Sequence, residues 1–427
     1  MRAGARAEWD PLHRVMVHEP GMEVFFALLA PSAHLYERYF SLRKAQAEHR
    51  MLCDLLNREY GVGIDRLVPT LVQGAAGNPK IRESLEATAA TRMECRYRYP
   101  APTLPASLRD VCHSVGLADR DPLDLVSIIL MDPRLTVDPD GVRTSLNTPY
   151  HNLYFLRDQQ ATLPGGMLRG RMATPERSGE PWLTGMALHS LGAVQVGVIG
   201  NGSFEGGDFL PMGDTALVGC GSRTSMSGVH TFLAQRPGFD EVAVVHQPDH
   251  PLLQGRDPMV AMHIDTYLNI PGEGVAVGCP ILLDRARVEV FTHDGGEYVH
   301  DPWTGTLSQY LDRKGYEIIG ISTLEQLCYA ANFLTVRDRE IVAVDTARLA
   351  PVVLRRLRES VARRPGVYDL LLAQAEQDYA RLRADAEFFP ASQEVYAHGL
   401  EVSPVTVTNA TGGYGGPHCM TCVLRRG

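Results

Sequence analysis

The chain has 427 residues, 44% of them hydrophobic and 21% charged, and a formal net charge of −9. These values fit an ordinary soluble globular protein of two or three units and argue against a nucleic-acid binder, which carries a basic face. Met1 to Asp10 lacks the apolar segment of a secretory signal, and the longest uncharged stretch, Pro181 to Phe204, is broken by Thr184, His189, Ser190, Gln195 and glycines, so it is no membrane span.

The first strand expected is Leu12 to His18, closed by Glu19-Pro20-Gly21. Tyr36 to Asn57 has helical apolar spacing and stops at Gly61-Val62-Gly63. Leu67-Val68-Pro69 reads as a second short strand, which makes residues 1–73 one strand-helix-strand unit. Between 74 and 147 the rhythm breaks into a mostly helical insertion, with helices at Ile81 to Ala90 and Pro122 to Met131 and a proline-rich run, Pro100 to Pro105, between them. From 148 to 427 strand-like segments return: Asn152 to Asp158, Ala193 to Ile199, Thr215 to Cys220, Glu241 to His246, Gly274 to Val277 and Ile341 to Asp345. Leu354 to Phe388 reads as two amphipathic helices decorating the surface, and Glu401 to Thr408 as a last strand. The pattern is mixed α/β.

Three stretches carry chemistry. The first is Gly412-Gly413-Tyr414-Gly415-Gly416-Pro417-His418-Cys419-Met420-Thr421-Cys422, where glycine density allows close backbone approach and a thiol sits beside an imidazole. On residue type alone Cys419 is open to three readings: a nucleophile, which must ionise to attack, a buried structural cysteine, or half of a CxxC redox or zinc site with Cys422. The eight cysteines are otherwise dispersed, which points to reduced thiols in the cytoplasm. The second stretch is His263-Ile264-Asp265, which on a strand would aim an imidazole and a carboxylate at the same face. The third is Phe204-Glu205-Gly206-Gly207-Asp208, two carboxylates about a glycine turn, of which Glu205 can keep an imidazolium charged.

Together with Asn152-Leu153-Tyr154-Phe155-Leu156-Arg157-Asp158, Gly170-Arg171-Met172-Ala173 and Ser222-Arg223-Thr224-Ser225, these stretches resemble, in order, the motifs of the arginine deiminases of the guanidino-group modifying superfamily. The resemblance implies a five-bladed α/β propeller of ββαβ units (the pentein fold) with a helical insertion. It implies a hydrolase that turns L-arginine and water into L-citrulline and ammonia through a covalent thiouronium on Cys419. Asp158 and Asp265 would grip the guanidinium, His263 would shuttle protons and Glu205 would hold His263 charged. Asn152, Arg171, Arg223, Asp208, Tyr414 and Gly416 would line the substrate. No metal or cofactor is expected, because the electrophile is already a cation; the partner is a small guanidine, and a homo-oligomer is expected. The chain departs from the family pattern at Tyr414, where an arginine usually stands five residues before the nucleophile. That leaves open a modified arginine or another guanidine as substrate, and an amidinotransferase as a neighbouring activity. The alternative of another class is a non-catalytic CxxC redox or zinc protein.

Overall fold

Five sheets in the chain share one connection pattern. In each, an antiparallel hairpin is followed by a helical crossover to a third strand parallel to the second. Thus Phe209–Met212 pairs antiparallel with Thr215–Cys220, which pairs parallel with Glu241–His246. The same order runs through Gln160–Leu163, Gly166–Arg169 and Gln195–Val198, through Leu268–Gly272, Val275–Gly278 and Glu317–Gly320, and through Leu334–Arg337, Glu340–Val344 and Glu401–Val405. The fifth sheet is assembled from both ends of the sequence: Cys422–Arg426 pairs antiparallel with Leu12–Val17, which pairs parallel with Gly63–Arg66. The architecture is α/β. This structure is a computed structural model that describes residues 3–93, 95–98, 108, 116–255 and 257–427.

The local reasons are ordinary. The middle strands of parallel pairs are near-continuous apolar runs, as in Thr215–Cys220 and Glu241–His246, because neighbouring elements cover both faces. Between those two strands the helix Met226–Ala234 starts where the Ser225 hydroxyl accepts a hydrogen bond from the Gly228 N–H. Among the described residues, no helix is long and apolar enough to cross a membrane.

Several expectations need correction. Leu67-Val68-Pro69 is not a strand but the start of the helix Leu67–Gly77; the third strand is Gly63–Arg66, and the expected boundary at 73/74 falls inside that helix. Proline fits there because the first turn needs no donor from its nitrogen. The 74–147 stretch holds the helices Pro79–Arg92 and Pro122–Met131, but also a three-stranded sheet of Cys95–Tyr97, Pro133–Asp138 and Gly141–Leu146. The run Pro100 to Pro105 lies outside the described residues. Cys95 is disulfide-bonded, so the cysteines are not all free thiols.

The 354–388 segment is more than decoration. Thr346–Arg363 and Asp369–Asp385 belong to the crossover between Glu340–Val344 and Glu401–Val405. Leu349, Val353, Leu354, Leu357, Leu371 and Ala375 are buried in the same apolar core as Tyr154, Phe155, Cys419 and Met420. A charged exterior hid a buried stripe that backs the Cys419 loop.

Candidate active site

Each of the five hairpins is entered through a tight turn, and the turns bear the chemistry. They are Leu156–Gln159, Gly206–Asp208, Ile264–Thr266, residues 328–331 followed by Asn332, and residues 417–420. Two expected strands are therefore turns instead. Asp158 and Asp265 both sit in 3₁₀ turns, so His263 and Asp265 come together through a turn and not through strand alternation. Such turns before a strand leave side chains free to face a neighbouring unit.

Cys419 is buried, its Sγ 3.5 Å from Asp265 Oδ2 and 3.1 Å from Asn332 Nδ2. His263 Nε2 lies 2.9 Å from Glu205 Oε2, and its Nδ1 lies 3.7 Å from Asp158 Oδ1. Gly207 is required by this approach: a Cβ there would come within 2.7 Å of His263 Nδ1 and 3.0 Å of Asp158 Oδ1. Asp208 turns to the backbone, accepting from the Ile264 N–H at 3.1 Å. The Gly416 N–H is taken by Asn332 Oδ1 at 2.7 Å, and the Asn152 side-chain amide donates to the His34 carbonyl at 3.4 Å. Arg223 is buried and its charge acts on Glu205. Arg171 does not join the cluster: it is exposed and donates to the Gly200 carbonyl. Tyr414 is half-buried in the left-handed region at φ 73°, where a side chain other than glycine is uncommon.

Sequence reasoning missed four residues. Arg177 donates to Asp158 Oδ2 at 2.7 Å and to Glu180 Oε2 at 2.9 Å, and reaches within 4.0 Å of Glu205. Glu180 opens the helix Glu180–Ser190. Asn332 binds four partners, the Gly416 and Cys419 N–H groups through Oδ1 and the Asp265 carbonyl and Cys419 Sγ through Nδ2. Glu8 lies behind the nucleophile with Arg426 at 2.9 Å and His418 at 3.7 Å, while His418 Nδ1 is 2.7 Å from Asp265 Oδ2. None of the four stood in a motif. The one available signal was the dense run of charge in Pro175-Glu176-Arg177.

The electrostatics follow from burial. Burial, with the charges of Asp265 and Asp158, pushes the Cys419 thiol well above its ordinary value. Burial opposes the His263 cation, but Asp158, Asp208 and Glu205 overcome it and raise His263, leaving an imidazolium at neutral pH. Burial raises Glu205, yet the hydrogen bond and charge of His263, with Arg177 and Arg223, bring it below its ordinary value. Burial lifts Asp208 to about 6 and Glu180 to about 7, the latter in spite of Arg177. Asp265 is held down against burial by its bond to His418. Among the described residues, ligand atoms of Asp158, Glu205 and His263 lie within 4.8 Å of one another, a spacing that could hold a metal ion only with His263 neutral. Cys422 is buried in a different apolar core from Cys419, and burial pushes its thiol to about 12, so the two sulfurs do not form a joint site.

Two carboxylate oxygens, Asp158 Oδ1 and Asp265 Oδ1, are buried without a hydrogen-bond partner. A thiol, an imidazolium and unsatisfied acceptors make a site for a planar, multi-donor cation with an electrophilic centre. The chain superposes with a TM-score of 0.53 on SxtG, an amidinotransferase of Microseira wollei, at 12% identity over 99% of this chain and 97% of that one, so the two share a fold. A model of the arginine deiminase family matches residues 33–426, and the chain belongs to that family of hydrolytic guanidino-modifying enzymes. It is 24% identical to an arginine deiminase of Halobacterium salinarum (99% of this chain, 96% of that one) and 27% identical to one of Rhodococcus opacus (99% and 97%).

Proposed function

We propose that the chain hydrolyses L-arginine to L-citrulline and ammonia by covalent catalysis at Cys419. The observation that carries this reading is the pair of unpartnered buried oxygens on Asp158 and Asp265, the second of which belongs to a carboxylate 3.5 Å from the Cys419 thiol through its other oxygen. An unmet buried acceptor costs about 1–3 kcal/mol, and the forked N–H groups of a guanidinium would satisfy both. A cation about 4 Å from the sulfur stabilises a thiolate by about 4 kcal/mol at an effective dielectric of about 20, which draws the thiol back down against burial. Substrate binding would thus supply the ionisation that the empty site opposes, the thiol proton leaving to solvent. The Sγ electron pair then bonds the guanidinium carbon, and a C–N π pair moves onto nitrogen. The His263 imidazolium protonates one amino group, which departs as ammonia with the C–N pair. The thiouronium cation remains. Neutral His263 next takes a proton from water, the hydroxide adds to carbon, and collapse expels the thiolate while the hydroxyl proton passes to that sulfur or to solvent, which leaves the neutral ureido product. His263 is charged again by the proton taken from water, and the Glu205 carboxylate holds that charge.

The five like sheets, and the pairing of Cys422–Arg426 with Leu12–Val17, support a closed five-bladed propeller with the turns converging at its centre. Tyr414 favours a second reading, a guanidine without a free carboxylate, because a phenol carries no charge at neutral pH. Ammonia release and product mass on arginine, its carboxyl-blocked and decarboxylated analogues, and arginine with acceptor amines separate these readings. Cys419→Ala that still releases ammonia ends the proposal; an adduct of Cys419 trapped by acid quench and seen by mass spectrometry supports it.

A further inference from the structure

A second cavity, of about 330 Å³, lies between the first turns of the helix Pro79–Arg92, the helix Glu180–Ser190 and the strands Gly166–Arg169 and Gln195–Val198. That volume falls within the range of small-molecule sites. Its lining is unusual for a chain of net charge −9: Lys80, Arg169 and His189 contribute basic groups, and no Asp or Glu lines it. None of the three has an ion pair or a side-chain hydrogen bond among the described residues, and Arg169 is half-buried. Gly185 sits mid-helix, and a Cβ there would lie 3.4 Å from Arg169 Cδ, in ordinary van der Waals contact, so the arginine stem runs along the helix beside its glycine. A mid-helix glycine costs about 1 kcal/mol relative to alanine. The floor is firm: Gln160, buried, donates its amide to the Pro181 carbonyl at 2.9 Å. Trp182 gives the wall a flat apolar face.

A carboxylate needs one cation. Two permanent cations and a titratable imidazole match the charge of −1.5 to −2 that a phosphate monoester carries. We propose that this cavity binds a small phosphate-bearing molecule, its phosphate held by Arg169, Lys80 and His189 and its body against Trp182. The site is separate from Cys419, so its test does not depend on the reaction proposed above.

The experiment is calorimetric titration of the whole enzyme with inorganic phosphate, pyrophosphate and AMP, with acetate and succinate as controls. The expected result is saturable binding of at least one phosphate probe, weakened tenfold or more by Arg169→Gln and by Lys80→Gln, with ammonia release in the absence of probe within twofold of the parent. Quenching of tryptophan fluorescence by the probe is expected to vanish in Trp182→Phe. The proposal is overturned if no phosphate probe binds saturably. It also falls if the dicarboxylate binds as tightly, or if the Lys80→Gln/Arg169→Gln double variant, folded by its melting curve, binds as the parent does.

Discussion

Two buried charge clusters stand back to back through the Cys419 loop, and they differ in what they lack. Behind the loop, Glu8 meets Arg426, Arg157 and His418, and the unpartnered guanidinium atoms are donors: Arg157 Nη2 and Arg426 Nε. In front of it, around Arg177 and His263, the unpartnered atoms are acceptors: Asp158 Oδ1, Glu180 Oε1 and Asp265 Oδ1. A cavity of about 10 Å³ beside Glu8, Arg157 and Arg426 has room for about one water. The side in front thus lacks donors, which the proposed guanidinium ligand would supply, and the side behind lacks acceptors. On the function proposed above, the cluster in front serves the chemistry and the cluster behind holds the loop.

The largest effect should come from the front. Cys419→Ala and His263→Ala are each expected to reduce ammonia release to background, a loss of at least about a thousandfold, whereas Cys422→Ser should leave kcat/KM within a few-fold. The comparison sharpens next by neutralising one carboxylate on each side. Asp265→Asn should cost about a hundredfold or more in kcat/KM, with a smaller loss of stability than Glu8→Gln because its bond to His418 is only weakened. Glu8→Gln should do the reverse, because removing one member of a buried charge cluster costs about 3–5 kcal/mol; chemical denaturation beside steady-state kinetics reads both. Equal kinetic losses in the two variants would erase the distinction.

Asn332→Asp is expected to be intermediate. It sets a carboxylate against Cys419 Sγ, raising a thiol that is already raised, and should lower the rate of alkylation by iodoacetamide at pH 8 as well as kcat. The smallest effect is on stability against pH. Asp208 has its folded value lifted by burial from 3.8 to about 6. The folded form therefore binds the proton more tightly, and the contribution is complete below about pH 3.8 and lost as pH rises through about 6. The loss is at most about 3 kcal/mol. Melting curves at pH 4.5 and 7 should show Asp208→Asn closing part of the gap that the parent shows.

Legibility in the sequence followed the same division. Cys419, His263, Glu205, Asp158 and Asp265 lie in short glycine- or aspartate-bearing motifs and could be named before any coordinates. Their partners could not. Arg177, Asn332 and Glu8 act across units, and no local pattern records that Glu8 will face His418 across the fold. The periodicity rule misled at Asn152 to Asp158 and at His263 to Asp265, where apolar alternation belongs to a 3₁₀ turn packed on the next hairpin. The fivefold likeness lies in the strand connections and not in repeated residues, so it was visible only as a recurring strand, turn and acid.

The pairing of Cys422–Arg426 with Leu12–Val17 has a kinetic consequence. The sulfur immediately precedes a strand whose partner lies almost the whole chain away, and such distant closures come late because their entropy must be overcome before any contact rewards it. On dilution from denaturant, helical signal should therefore return first and ammonia release only afterwards, making the regained turnover a clock for the joining of the two distant strands.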